Sequence, residues 1–250
     1  MRIHTGLQRV WRFSGSACLL VFAVVSLSDA SFPVLSETRE SRESRYQISS
    51  RGFRVGELKT VIRPFVKDGR KLVRFEGNTS IKAGFLFFSL QSSSYEEALI
   101  GEEGTVGYRR TGTENGRTRS VEAQFSQNSV FLTVREDGKT RSVTIPRTRF
   151  DFTTMDCPET TIGQEGEQLE IRLLDLEHAR VINRRYIWTK TETVTVGERT
   201  IRCRVVDFED PDNRCRRWIT RDAQGVIIAR QEGKGKAGSY ILKMISLGKG

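Results

Sequence analysis

Histidine is nearly missing from this sequence: there are two in 250 residues, and only His178 lies beyond the first thirty. That excludes a multi-histidine metal centre and leaves a serine triad one candidate base. His178 follows Asp175 and Glu177 in a turn-like stretch, where a solvated turn histidine is the expected role. Cysteine is scarce too, and no pair has C-x-x-C spacing, which argues against a thioredoxin-type centre or a zinc site. Helix signals are few. The best is Ser94 to Ile100, read as a short helical turn capped by Ser94, bearing Glu96 and Glu97 and ended by Gly101. Only one long apolar run occurs, Ala17 to Leu27, interrupted by Ser26 alone.

That run sits in a secretory layout. Arg2, Arg9 and Arg12 precede it, and Ser28-Asp29-Ala30 supplies the small residues that a signal peptidase reads. The run is well short of the about twenty residues needed to span a bilayer, so a cleaved signal peptide over residues 1–30 is expected rather than an anchor. Most of the run follows Cys18 instead of preceding it, which argues against a lipoprotein signal. The expected location is periplasmic or secreted. Residues 31–45 are expected to form a flexible tether, because 36–45 contain no apolar side chain and cannot offset ordering entropy by burial. One domain over 46–250 follows, long enough for an adequate core.

Removing residues 1–30 takes away three Arg and one Asp, so the formal charge falls from +10 to +8. Export turns the partner list from nucleic acid to anionic lipid head groups, wall polymers or acidic proteins. The basic residues are spread along the chain, so their commonest role is to keep a β surface soluble and its edges unpaired.

From Tyr46 onward the hydrophobic period is mostly two. Val130 to Val134, Asp137-Gly138 and Val143 to Ile145 read as a hairpin with Leu132 opposite Val143 and Val130 opposite Ile145. Asn115-Gly116 gives a second hairpin, with Tyr108 opposite Ala123. Asp68-Gly69 gives a third, with Phe65 opposite Leu72 and Ile62 opposite Phe75. Further strands are expected over Val181–Val196, Thr200–Phe208, Arg216–Thr220, Val226–Ala229 and Tyr240–Leu247. About ten or more antiparallel strands in one domain curl strongly or close. The expected fold is therefore all-β, an antiparallel meander curling into a barrel or half-barrel, with a two-sheet sandwich as the alternative.

Cys203 and Cys215 flank the turn-like Glu209–Asn213 stretch, and an oxidising compartment permits a disulfide between them, leaving Cys157 over. The Gly233–Ser239 stretch lacks the Lys-then-helix context of a phosphate-binding loop and reads as a basic hairpin turn. Glu96 with Glu97, or Glu102 with Glu103, would serve acid–base chemistry only if the fold gathers them in a cleft. Tyr186, Trp188 and Trp218 are the candidate binding residues: they line an apolar cavity on a curved sheet or else fill an ordinary core.

In order, Tyr46–Glu57, Thr113–Gly116, Leu174–Leu176 and Arg217–Val226 resemble a family of exported bacterial proteins classed as a domain of unknown function. The resemblance spans about residues 46–247. It implies an antiparallel half-barrel loosely similar to periplasmic lipoprotein carriers, and it carries over no activity and no catalytic residues. The expected function is thus a non-enzymatic cell-envelope protein that binds an apolar or amphipathic ligand. Its expected partner is lipid or another envelope component, with peripheral membrane contact, no nucleic acid, no cofactor and no metal. The alternative is an assembly protein acting through sheet edges and basic loops.

Overall fold

The computed structural model describes residues 40–85, 88–235 and 238–249. The expected signal peptide and residues 31–39 of the expected tether lie outside the described residues. Fifteen strands follow one another. The first eight are β1 Arg42–Ser50, β2 Phe53–Lys67, β3 Arg70–Phe85, β4 Phe88–Gly101, β5 Gly104–Glu114, β6 Arg117–Phe125, β7 Ser129–Glu136 and β8 Lys139–Pro146. The rest are β9 Phe152–Thr153, β10 Gln168–Asp175, β11 Arg180–Val196, β12 Arg199–Glu209, β13 Asn213–Asp222, β14 Gly225–Gly235 and β15 Gly238–Lys249. They form one sheet ordered β8 down to β1, then β15 down to β9. Every neighbouring pair is antiparallel except β9 with β10. Two antiparallel meanders are therefore joined by a single long-range ladder, β1 against β15.

The tight turns set this register. Asp68-Gly69, Asn115-Gly116 and Asp137-Gly138 all have positive φ at both residues, the conformation that a two-residue hairpin demands and that Gly adopts without strain. Leu132 pairs with Val143 and Val130 with Ile145, Tyr108 with Ala123, and Phe65 with Leu72 and Ile62 with Phe75. These are the pairings expected from the alternation.

Three expectations are corrected. Ser94 to Ile100 is not a helical turn but the interior of β4. There Ala98 stands between Phe75 of β3 and Tyr108 of β5, and pairing on both sides outweighs a local cap signal. The sheet also begins four residues before Tyr46. Arg42 is held by Asp222 Oδ1 at 2.5 Å and the Val226 carbonyl at 2.6 Å, which offsets the lack of apolar surface in that stretch. Finally, Cys203 and Cys215 are not bridged, and all three described cysteines are free. The hairpin turn pairs Glu209 with Arg214, so Cys215 faces Phe208 and its row never reaches Cys203. The two cysteines fall in different hydrophobic clusters.

Among the described residues the sheet curls without closing. Leu174 of β10 and Leu176 just past its end, with Phe150, join Val121, Ala123, Val130 and Leu132 in one cluster that brings the two ends of the strand order together. Asp156 fastens the seam: Oδ1 accepts Thr105 N at 2.8 Å and Thr105 Oγ1 at 2.6 Å, and Oδ2 accepts Thr153 N at 2.6 Å. A second cluster gathers Ile162, Leu173, Tyr186, Val206 and Phe208. In the third, the far end of the β11–β12 hairpin (Val196, Cys203, Val205) packs back on Ile227 and Ala229 of β14 and Met244 of β15.

Candidate functional site

The three aromatics singled out in the sequence do not come together. Tyr186 is 1% exposed and lies in the second cluster with its ring 5.4 Å from Phe208. Trp188 packs at the margin of that cluster, under the Arg204 guanidinium at 4.2 Å, and donates Nε1–H to the Lys190 carbonyl at 2.9 Å. Trp218 is in the third cluster and donates to Glu192 Oε2 at 2.6 Å, with Arg230 at 4.9 Å over its ring. Tyr186 and Trp218 are thus core members with their polar atoms engaged. Bulges lie beside both tryptophans, with Thr189 the extra residue in β11 and Ala229 the extra residue in β14.

Concave space lies instead on the face of β11–β15 opposite Tyr186. Two adjoining cavities of 510 and 600 Å³ share Arg185, Glu209 and Arg214 and make one groove. Its floor is two in-register rows. The first is Arg185–Glu209–Arg214–Lys234–Ser239, and the second is Ile187–Asp207–Arg216–Glu232–Ile241. Each row crosses five strands about 4.8 Å apart, so each runs roughly 19 Å. The first row carries three cations against one carboxylate. Glu209 serves both Arg185 and Arg214, the latter at 3.5 Å with its side chain 82% exposed. Lys234 makes no ion pair among the described residues. In the second row the Arg216 fork closes on Asp207 at 2.7 Å twice, which raises the arginine pKa, and Glu232 is taken by Arg230. The charge left over for a ligand therefore sits on Arg214 and Lys234. Ile187 and Ile241 offer apolar surface at the two ends of the second row.

The alternate row, Tyr186–Phe208–Cys215–Gly233–Tyr240, lies between these two rows along the strands, and Phe208, Cys215, Gly233 and Tyr240 also border the larger cavity. Gly233 is needed here: a Cβ on it would fall 2.2 Å from the Tyr240 ring, which lies across the glycine. The Tyr240 hydroxyl accepts from Gln231 Nε2 at 2.5 Å, and Gln231 Oε1 accepts from Arg217 Nε at 2.7 Å. Arg217 in turn pairs with buried Glu159, which comes from the 3₁₀ turn Pro158–Thr161, and sits 4.9 Å over Phe208. Burial lifts the Tyr240 hydroxyl well above its ordinary value, so it stays neutral and serves as a hydrogen-bonding group.

The groups that would carry catalysis are arranged otherwise. Glu96 and Glu97 point to opposite faces of β4. Burial raises Glu96, which accepts the Tyr108 hydroxyl at 2.8 Å, whereas Glu97 is held by Arg74 and Arg109. His178 Nδ1 lies 2.8 Å from Asp175 Oδ2 across its own turn, and this bond raises the imidazole pKa. Burial pushes the Cys157 thiol up to about 12 and Cys203 to about 11, away from thiolate reactivity. Sequence reasoning missed Arg217 and Glu159. The signal for Arg217 was its place between Cys215 and Ile219 on an otherwise apolar alternation. Glu159 follows an irregular stretch with no periodicity to mark it.

A family model described as Protein of unknown function (DUF3108) matches residues 45–244. Among solved structures, the chain is similar to a beta-barrel-like protein of domain of unknown function DUF1849 from Brucella abortus. The two are 11% identical with a TM-score of 0.59, over 84% of this chain and 98% of that one. At that identity the likeness is one of fold. No curated protein matches the chain.

Proposed function

The chain belongs to the DUF3108 family, and we propose that it is an exported, non-enzymatic cell-envelope protein that holds an anionic amphipathic ligand in the groove across β11–β15. One observation carries this reading. Two strand rows set a surplus of cationic charge, with Arg185 and Arg214 sharing the one carboxylate of Glu209 and Lys234 in no ion pair among the described residues, beside apolar Ile187 and Ile241 in a concavity whose volumes, 510 and 600 Å³, fall in the range of small-molecule sites. A phosphate or carboxylate head group would lie along the first row and an acyl or other apolar body along the second. The Arg2, Arg9, Arg12 and Ala17–Leu27 layout supports export. The high thiol pKa values and the separated carboxylates support a non-enzymatic role.

Native mass spectrometry of the protein purified from its own envelope tests the reading. A lipid-sized adduct is expected on the parent chain and is expected to be lost from Arg214→Glu and from Ile241→Asp, both at exposed positions. An adduct that persists in both variants, or a parent chain that carries none and does not bind an anionic fluorescent lipid, would rule the groove out.

The second reading, an assembly protein acting through a sheet edge, is favoured by β8, which pairs only with β7 among the described residues. It predicts a partner protein that co-purifies irrespective of Arg214.

A further inference from the structure

The strand order ends at β8, whose one strand partner among the described residues is β7. Its hairpin decides which of its backbone groups are engaged. Across a two-residue turn the flanking residues exchange both hydrogen bonds, and hydrogen-bonded pairs then alternate along the ladder. Asp137-Gly138 is such a turn, so the bonded pairs are Glu136–Lys139, Val134–Arg141 and Leu132–Val143. The amide and carbonyl groups of Thr140, Ser142 and Thr144 therefore turn away from β7, toward the open edge. Pro146 falls at the next outward position, where its missing N–H removes no bond to β7.

The side chains of β8 sort by face. Lys139, Arg141 and Val143 stand opposite Glu136, Val134 and Leu132, on the side of the first cluster. Lys139 and Arg141 are exposed and make no ion pair among the described residues. Glu136 lies in its row between Lys139 and Arg119 of β6, and Arg141 has only Val134 opposite it. The edge thus carries a surplus of positive charge on one face. Thr140, Ser142 and Thr144, on the other face, are uncharged.

We propose that β8 receives an extended acidic segment of a partner protein, added antiparallel as a further strand. The segment bonds to the outward backbone groups of Thr140, Ser142 and Thr144. Lys139, Arg141 and Val143 then occupy the non-bonded positions of the new ladder, where facing side chains come closest. Carboxylates opposite Arg141 and Lys139 and an apolar side chain opposite Val143 complete the match. In chain order the segment reads apolar, any, acidic, any, acidic. The main-chain bonds supply affinity and the alternate side chains supply choice. The proposal rests on the second reading above, action through a sheet edge, and adds the chemistry of the partner.

The test titrates the purified protein into a fluorescent peptide, Thr-Val-Thr-Glu-Thr-Glu, and reads anisotropy. The counterpart is Thr-Val-Thr-Lys-Thr-Lys, and a third peptide is the acidic one N-methylated at its threonines, which cannot complete the ladder. The acidic peptide is expected to bind about tenfold tighter than the lysine peptide, less so with added salt, and the N-methylated copy not at all. Lys139→Glu combined with Arg141→Glu is expected to reverse the preference, and Arg214→Glu to leave it unchanged. Hydrogen exchange at the Ser142 and Thr144 amides is expected to slow when the acidic peptide is bound. Equal binding of the acidic and lysine peptides, with the N-methylated copy excluded, overturns the acidic partner and leaves the edge reading standing. Binding of the N-methylated copy, or of none of the three, overturns both.

Discussion

Arg217 is the residue on which the second meander turns. Its guanidinium, pushed further toward permanent charge by Glu159, stands among Phe208, Tyr186 and Gln231, and hands hydrogen bonds on to Tyr240 under the groove. Each ion of such a buried pair is costly alone. Glu159→Leu is expected to destabilise the fold by about 3–5 kcal/mol, since it leaves a buried cation unpaired. The double change Glu159→Leu with Arg217→Met is expected to recover most of that loss. Denaturant midpoints at constant slope measure both. Little of this was legible beforehand. Arginine and glutamate are abundant in this chain, and nothing local distinguishes Glu159 from the other acids. Tyr186 and Trp218, read as possible ligand contacts, are typical of the ambiguity: alternation says that a side chain is turned inward, not whether a space awaits it there.

At the level of elements the turns were the most informative feature. Asp-Gly and Asn-Gly fix both φ signs locally, so Leu132–Val143 and Phe65–Leu72 follow from chemistry confined to the hairpin. Ser94–Ile100 misled because its cap signal is local whereas its strand partners, on β3 and β5, are distant. The Cys203–Cys215 pairing failed by register: the turn ends at Asn213, and the count outward brings Phe208 opposite Cys215. The groove rows are of the same kind, since five strands must be in register before Arg214 and Lys234 become neighbours. β8 shows how the open end of the sheet is guarded. Lys139, Arg141 and Pro146 lie along it, and all three are exposed. Charge and a missing N–H discourage a second copy of this cationic edge from adding there, without barring an acidic partner. Replacing Lys139 and Arg141 with valine is expected to produce concentration-dependent association, read by light scattering. An unchanged particle size would mean that the edge is shielded in solution.

For the molecule as a whole, the half-barrel was legible because strand count and turn chemistry both demanded curling. The seam was not, because Asp156 and Thr105 belong to segments far apart in sequence. The core is divided into three clusters rather than one, and the cysteines are distributed among protected positions instead of stapling it. Stability should therefore be indifferent to redox state. A reducing agent is expected to leave the melting temperature unchanged, and Cys203 and Cys215 are expected to resist alkylation until the fold opens. A shift of several degrees on reduction would contradict the register described above.

The ladder between β1 and β15 has a consequence for how the chain is assembled. Arg42 pairs with Lys249, so the first and last strands end side by side. Among the described residues this is the one strand pairing that cannot form until nearly the whole chain is available, whereas the rest, the two-residue β9–β10 contact included, join sequence neighbours. A short covalent link from Lys249 to Arg42, with new ends cut at the exposed Thr148-Arg149 stretch between β8 and β9, which stand at opposite ends of the strand order, would make that late, entropically expensive closure an early and local one. Circular permutation of this kind is expected to preserve the ladder and to speed refolding, which stopped-flow mixing of the parent and permuted chains would read.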